Sequence, residues 1–287
     1  MHVWTIGWDY GPTILKMATD QLPKDYVVVR PDELASLFKK YKGAKAELTS
    51  IDPKISPSGV VKEAVVTDGL VIDTGVAKVE IGWGKTPQSP IKRVMGVDGK
   101  WRGMGHLIVN NPANLTAKSF DAVRTLNTEK EKDYRLSYVF SDGEIMVFTI
   151  KAYAVRPYIT VDEVTDGGEM PSWIFDTFPD FKPDTLYTDT GQDVAVISEG
   201  VEAKGGLPSY RWMLVGKKAG PDRDQIGIFQ RSYGDWNNGD MVYWCRSYEG
   251  YIESYHQKAG TKKFAVAALD SADTGAPMRI WKELNGK

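Results

Sequence analysis

One cysteine and three histidines in 287 residues remove several chemistries at once. A single Cys closes no intrachain disulfide, supplies no Cys-rich zinc site and leaves no C-x-x-C redox pair. His2, His106 and His256 are dispersed, so neither an H-E-x-x-H helix nor a His triad is written into the spacing. No metal ligand set and no cofactor motif is present. No apolar run reaches the roughly 18 residues of a membrane-spanning helix. Neither sign of charge dominates: 36 basic side chains face 38 acidic ones for a net charge of −2. That balance lacks the basic excess of a nucleic-acid binder.

Aromatic residues are plentiful, with 14 Tyr, 9 Trp and 9 Phe beside 28 Gly and 15 Pro. Their setting differs along the chain. Residues 1–43 read as an α/β segment. Val3 to Ile6 is a short strand, and Tyr26 to Val29 a β-branched run suited to a buried parallel strand. Pro31, Asp32 and Glu33 then open a helix whose apolar face is Leu34, Leu37, Phe38 and Tyr41, closed by Lys39, Lys40, Lys42 and Gly43. Residues 44–60 lose periodicity and gain Ser and Pro, as a linker does. Residues 61–287 carry short apolar or alternating runs between turn residues, the pattern of a mainly β, antiparallel sandwich. Within them Tyr134, Leu136, Tyr138 and Phe140 alternate with polar neighbours, Ser141-Asp142-Gly143 turns the chain, and Ile145 to Ile150 returns, which predicts a hairpin. Arg156-Pro157 breaks the run before Tyr158 to Val161. Six further runs, starting at Val194, Tyr210, Ile226, Met241, Tyr251 and Phe264, predict more antiparallel strands.

Two stretches resemble known families. Thr5 to Tyr41, with Val29 to Leu34 as its "V-x-P-D-E-L" helix, resembles the end of a GxGYxYP-type glycoside hydrolase domain. Tyr134 to Val164 (YRLSYVFSDGEIMVFTIKAYAVRPYITVDEV) is similar to the opening strands of the β-supersandwich of polysaccharide lyases, glycosidases and mutarotase-like proteins. The resemblance implies a carbohydrate-active protein that binds, and in its catalytic form cleaves, a polysaccharide or oligosaccharide by lyase or glycoside hydrolase chemistry. The alternative is a non-catalytic glycan-binding or structural sandwich accompanying a catalytic domain. The chain opens on what reads as the interior of a longer protein, without a basic and then apolar leader. Its compartment and oligomeric state stay open, with an extracellular or periplasmic site favoured if the parent is carbohydrate-active.

Sugar rings are bound by aromatic faces flanked by polar groups. Residues 229–256 hold eight of the 32 aromatics and best fit that mixture. Trp236 lies in a Gly-Asp-Trp-Asn-Asn-Gly loop, and Arg231, Tyr233, Asp235 and Tyr251 complete the candidate substrate-binding set. Tyr255 or His256 is the candidate general base or acid, and Arg246 the group that would neutralise a uronate carboxylate. Adjacent strand residues face opposite ways, so Tyr255 and His256 share a groove only if the strand ends there. A mutarotase-like reading would instead use His106, placed by Gly103 and Gly105 at a bend, with Glu144 or Glu163 as base. Asp184, Asp189 and Asp193 form a looser calcium candidate, without EF-hand spacing.

Overall fold

The computed structural model describes residues 2–5, 26–29, 59–109, 117–166, 171–176, 181, 183–189, 194–195, 202–203, 210–218, 222–231, 243–246, 251–254 and 260–287. Of these, 2–5, 26–29, 106–109, 171–176, 194–195, 202–203, 243–246 and 251–254 are described by their backbone alone. The chain divides into two compact units, Met1–Pro57 and Ser58–Lys287. In the first, His2–Thr5 and Tyr26–Val29 pair in parallel, Val3 opposite Val27 and Trp4 opposite Val28. A parallel pair needs a crossover connection. The helix expected after Pro31 lies outside the described residues.

The second unit is an antiparallel β-sandwich. Its largest sheet has nine strands, in the order Val194–Ala195, Thr185–Thr188, Trp212–Gly216, Asp224–Gln230, Gly260–Asp270, Tyr158–Thr165, Ile145–Tyr153, Glu131–Phe140 and Ala117–Asn127. The predicted hairpin sits within it, Tyr134 opposite Ile150, Leu136 opposite Phe148 and Tyr138 opposite Met146. Gly143 takes φ 96° in its turn, a conformation open to Gly at no steric cost. Period-two burial follows from the pleat: Met146, Phe148, Ile150 and Ala152 are buried while Val147, Thr149 and Lys151 are half-buried.

The inner face of this sheet is covered by a five-stranded meander, Lys62–Val66, Gly69–Asp73, Lys78–Gly82, Ile91–Met95 and Trp101–Arg102. Leu70, Ile72, Val79, Ile81, Ile91 and Val94 of the meander form one core with Tyr134, Leu136, Tyr138, Phe148, Val161, Ile226 and Phe264 of the sheet. The opposite face is covered in part by a helix, Ala276–Leu284, with a Pro in its first turn. Ile280 and Trp281 of the helix pack on Tyr158, Trp212, Leu214, Phe229, Ala265 and Leu269. Covered on both sides, Asp224–Gln230 is buried at every position, so the alternation expected of an antiparallel strand is lost there.

A third sheet joins Glu202–Ala203, Tyr243–Arg246, Tyr251–Ser254, Pro171–Asp176 and Met104–Val109. The bend expected at Gly103 and Gly105 carries the chain into it from the meander. Gly103 takes φ 75°, and Gly105 passes so close to Ile91 that a Cβ would lie 1.6 Å from the Ile91 carbonyl oxygen. Only glycine fits that approach.

Candidate functional site

The segment richest in candidate residues is placed by strand pairing. Thr188 lies opposite Met213, Trp212 opposite Phe229, Gln230 opposite Phe264 and Thr165 opposite Gly260. Residues 231–259 therefore leave and re-enter the nine-stranded sheet at the end where Thr188 leaves it and Trp212 enters it, and within the other excursion, 189–211, Val194–Ala195 pairs back onto Thr185–Leu186. Those excursions supply three strands of the third sheet, Glu202–Ala203, Tyr243–Arg246 and Tyr251–Ser254.

At that end the inner face stops being apolar. Cross-strand partners share a face, and Glu163 is the partner of Lys262. Glu163 is 0% exposed, Gln230 0%, Lys262 3% and Thr165 3%. This polar row continues the line of Val161, Phe264 and Ile228, which are core residues. Among the described residues, neither Oε1 nor Nε2 of Gln230 has a hydrogen-bond partner. An amide left in this state costs about 1–3 kcal/mol. Sequence reasoning named Glu163 only as a possible base beside His106 and missed the row, because a lone Gln, Lys and Glu on three strands have nothing to join them until register brings them together.

The predicted site residues divide by place. Tyr233, Asp235, Trp236, Tyr255 and His256 lie outside the described residues. Arg246 and Tyr251 are direct register partners, closing the hairpin of Tyr243–Arg246 and Tyr251–Ser254. Arg231 follows Gln230 and faces the other way. Its Nη1 donates to Asp162 Oδ1 at 2.7 Å, and its N–H donates to the Lys263 carbonyl at 3.0 Å. Arg231 is thus anchored beside the root of the excursion. His106 pairs in register with Ile174 in the third sheet whereas Glu163 lies in the nine-stranded sheet, so the alternative acid–base pair spans two sheets.

Two members of the calcium candidate have other partners. Asp184 Oδ1 accepts from Thr185 Oγ1 at 2.9 Å and from the Lys218 N–H at 2.8 Å. Asp189 accepts from the Arg211 N–H at 3.0 Å and pairs with its guanidinium. Asp193 lies outside the described residues, among which no group of three or more His, Cys, Asp or Glu is arranged to hold a metal ion. No helix among them is long and apolar enough to cross a membrane.

No family model matches the chain, and no curated protein does. Solved structures with which it shares a likeness include an alpha-mannosidase from Enterococcus faecalis V583, at 6% identity and TM-score 0.44, covering 83% of this chain and 33% of that one. Alpha-N-acetylgalactosaminidase NagBb from Bifidobacterium bifidum follows at 10% identity and TM-score 0.43, covering 77% and 38%. A galactose mutarotase related enzyme from Lactobacillus acidophilus has 9% identity and TM-score 0.35, covering 74% and 98%. The chain spans 33% and 38% of the lengths of the first two. Likeness at these values carries no argument about activity.

Proposed function

We propose that the sandwich, residues 61–287, binds a polysaccharide at the end of the nine-stranded sheet where its inner face turns polar. The observation that carries this reading is the root of the 231–259 excursion at Gln230, whose carboxamide is fully buried and has no hydrogen-bond partner among the described residues. The aromatic and polar segment 229–256 springs from that root, with Trp236, Tyr233, Asp235 and Tyr251 as its sugar contacts and Arg231 as its anchor. A catalytic version of the reading is supported by the register pairing of Arg246 with Tyr251, four residues before Tyr255. In it Tyr255 or His256 moves the proton and Arg246 neutralises a uronate carboxylate. The test is retention of the whole chain on a panel of immobilised polysaccharides, with loss of retention on Trp236→Ala. Incubation with the same polymers separates the two versions. An unsaturated product absorbing in the ultraviolet marks a lyase, new reducing ends without it mark a hydrolase, and neither marks a binding module.

A further inference from the structure

The last turn of the helix Ala276–Leu284 closes on the roots of both excursions. Asn285, its C-cap, donates from Nδ2 to the Gln230 carbonyl at 2.9 Å and to the Trp281 carbonyl at 2.9 Å. One amide group thus joins the end of the helix to the last residue of Asp224–Gln230, from which the 231–259 excursion departs. Gln230 in turn donates its N–H to the Arg211 carbonyl at 3.0 Å, and Arg211 is the last residue of the 189–211 excursion.

Arg211 is gripped a second time from the helix. Its guanidinium lies over the Trp281 ring, 4.7 Å from the ring centre, while its Nε faces Asp189 Oδ2 at 3.4 Å and its N–H donates to Asp189 Oδ1 at 3.0 Å. Asp189 and Arg211 are the first and last residues of their excursion, so this pair closes its base. Trp281 is 4% exposed and, among the described residues, its Nε1 has no hydrogen-bond partner. The ring is therefore held by packing and by the cation over it rather than by a bond of its own. A planar guanidinium seated between such a ring and a carboxylate has little freedom left.

The helix is fastened to the sheet elsewhere by a separate contact. Glu283 accepts from Tyr158 Oη and pairs with Arg156 Nη1 at 2.7 Å, and neither partner belongs to an excursion. Docking of the helix and its grip on the roots are thus carried by different side chains. We infer that Asn285 and Trp281 are positioning residues for the polysaccharide site. They touch no sugar, and they set the place of the segment that does by fixing its root at Gln230 and the neighbouring root at Arg211. What they position is taken from the binding reading proposed above, on which this role rests. A displacement of about 1 Å at such a root is large on the scale that recognition tolerates.

The test uses the full chain in three variants. Asn285→Asp keeps the size but sets a carboxylate against two carbonyl oxygens, Asn285→Gln keeps an amide donor, and Glu283→Ala loosens the helix while leaving both root contacts. Hydrogen–deuterium exchange reads the N–H groups of Gln230 and Arg231, and affinity electrophoresis against soluble polysaccharides reads binding. Exchange at both is expected to quicken about tenfold in Asn285→Asp, to return toward the parent in Asn285→Gln and to stay near the parent in Glu283→Ala. Affinity for a polymer that retards the parent is expected to fall about threefold to tenfold in Asn285→Asp and to recover in Asn285→Gln. Unchanged exchange in Asn285→Asp, an equal effect of Glu283→Ala, or quickened exchange with affinity untouched overturns the inference. A parent that no polymer retards overturns the binding reading instead, and exchange alone then decides whether the helix holds the roots.

Discussion

Arg102 and Asp224 are joined by a hydrogen bond of 2.7 Å between Nε and Oδ2, with 5% and 1% of the residues exposed. The pair fastens the last strand of the meander to the first residue of a nine-stranded-sheet strand, one position before Gln225. Asp224 also accepts the Val97 N–H at 2.6 Å, and a Cβ on Gly96 would lie 2.4 Å from its Oδ2. Asp98 holds the other side of the guanidinium at 2.8 Å. The carboxylate is enclosed and fully used.

Removing Asp224 takes the buried carboxylate partner from the Arg102 guanidinium, leaving it Asp98 at the edge, and strips the Val97 N–H of its acceptor. Asp224→Ala is expected to lower unfolding free energy by about 3–5 kcal/mol, measured by urea denaturation. Replacing both, as Arg102→Met with Asp224→Leu, removes the buried guanidinium along with the bond. The double variant is expected to be more stable than Asp224→Ala, and a double variant less stable than that single one would contradict the assignment.

Glu63 ties the meander edge to the long hairpin. It accepts from Tyr134 Oη at 2.5 Å and from Arg124 Nε at 2.9 Å. Burial alone would raise its carboxyl. The bonds from Tyr134 and Arg124 and the charge of Lys132 outweigh burial and hold it below the ordinary value of 4.5. A carboxylate with a folded pKa below its unfolded one contributes stability that is present above the unfolded pKa and lost as pH falls through the folded one. Urea midpoints of the parent and Glu63→Gln are therefore expected to differ by a constant amount above about pH 5.5 and to converge below about pH 4.5. A gap that widens on acidification would reverse the assignment.

Trp281 seals the second core. It is 4% exposed, with Arg211 and Lys287 each 4.7 Å from its ring centre. Trp281→Ala is expected to cost about 3–5 kcal/mol and to expose Tyr158 and Phe229, read as protease sensitivity of the C-terminal helix. Unchanged stability would show that the helix is not a working part of the fold.

Gly105 and Gly227 mark where backbones meet. A Cβ on Gly227 would lie 2.0 Å from the Met213 carbonyl oxygen. Alanine at either glycine is expected to destabilise by more than the ordinary glycine-to-alanine effect of about 1 kcal/mol. Thermal unfolding of both variants checks this, and an alanine that stabilises at either place would be inconsistent with the close approach.

Much of the sandwich was legible before any coordinates. The alternation of Tyr134 to Phe140 and the Asp142-Gly143 turn specify a hairpin because a pleated strand with one apolar face has period two, and the turn needs a positive φ. The runs at Ile226 and Phe264 were found as strands for their apolar content, but not their neighbours or their faces. Ala117–Asn127 escaped because an edge strand exposed along most of its length has no apolar stripe to announce it. The helix Ala276–Leu284 escaped because nine residues with four buried ones give too short a period. The site was least legible. Gln230, Glu163 and Lys262 become a row only through register.

The central claim is that the domain binds polysaccharide at the polar end of its large sheet, through the excursion that carries Trp236. Affinity electrophoresis of the full chain against soluble acidic and neutral polysaccharides tests it directly. The account predicts retardation by at least one polymer that disappears on Trp236→Ala while the folded circular dichroism spectrum is kept. Unretarded migration in every polymer, or retardation untouched by Trp236→Ala, would contradict it.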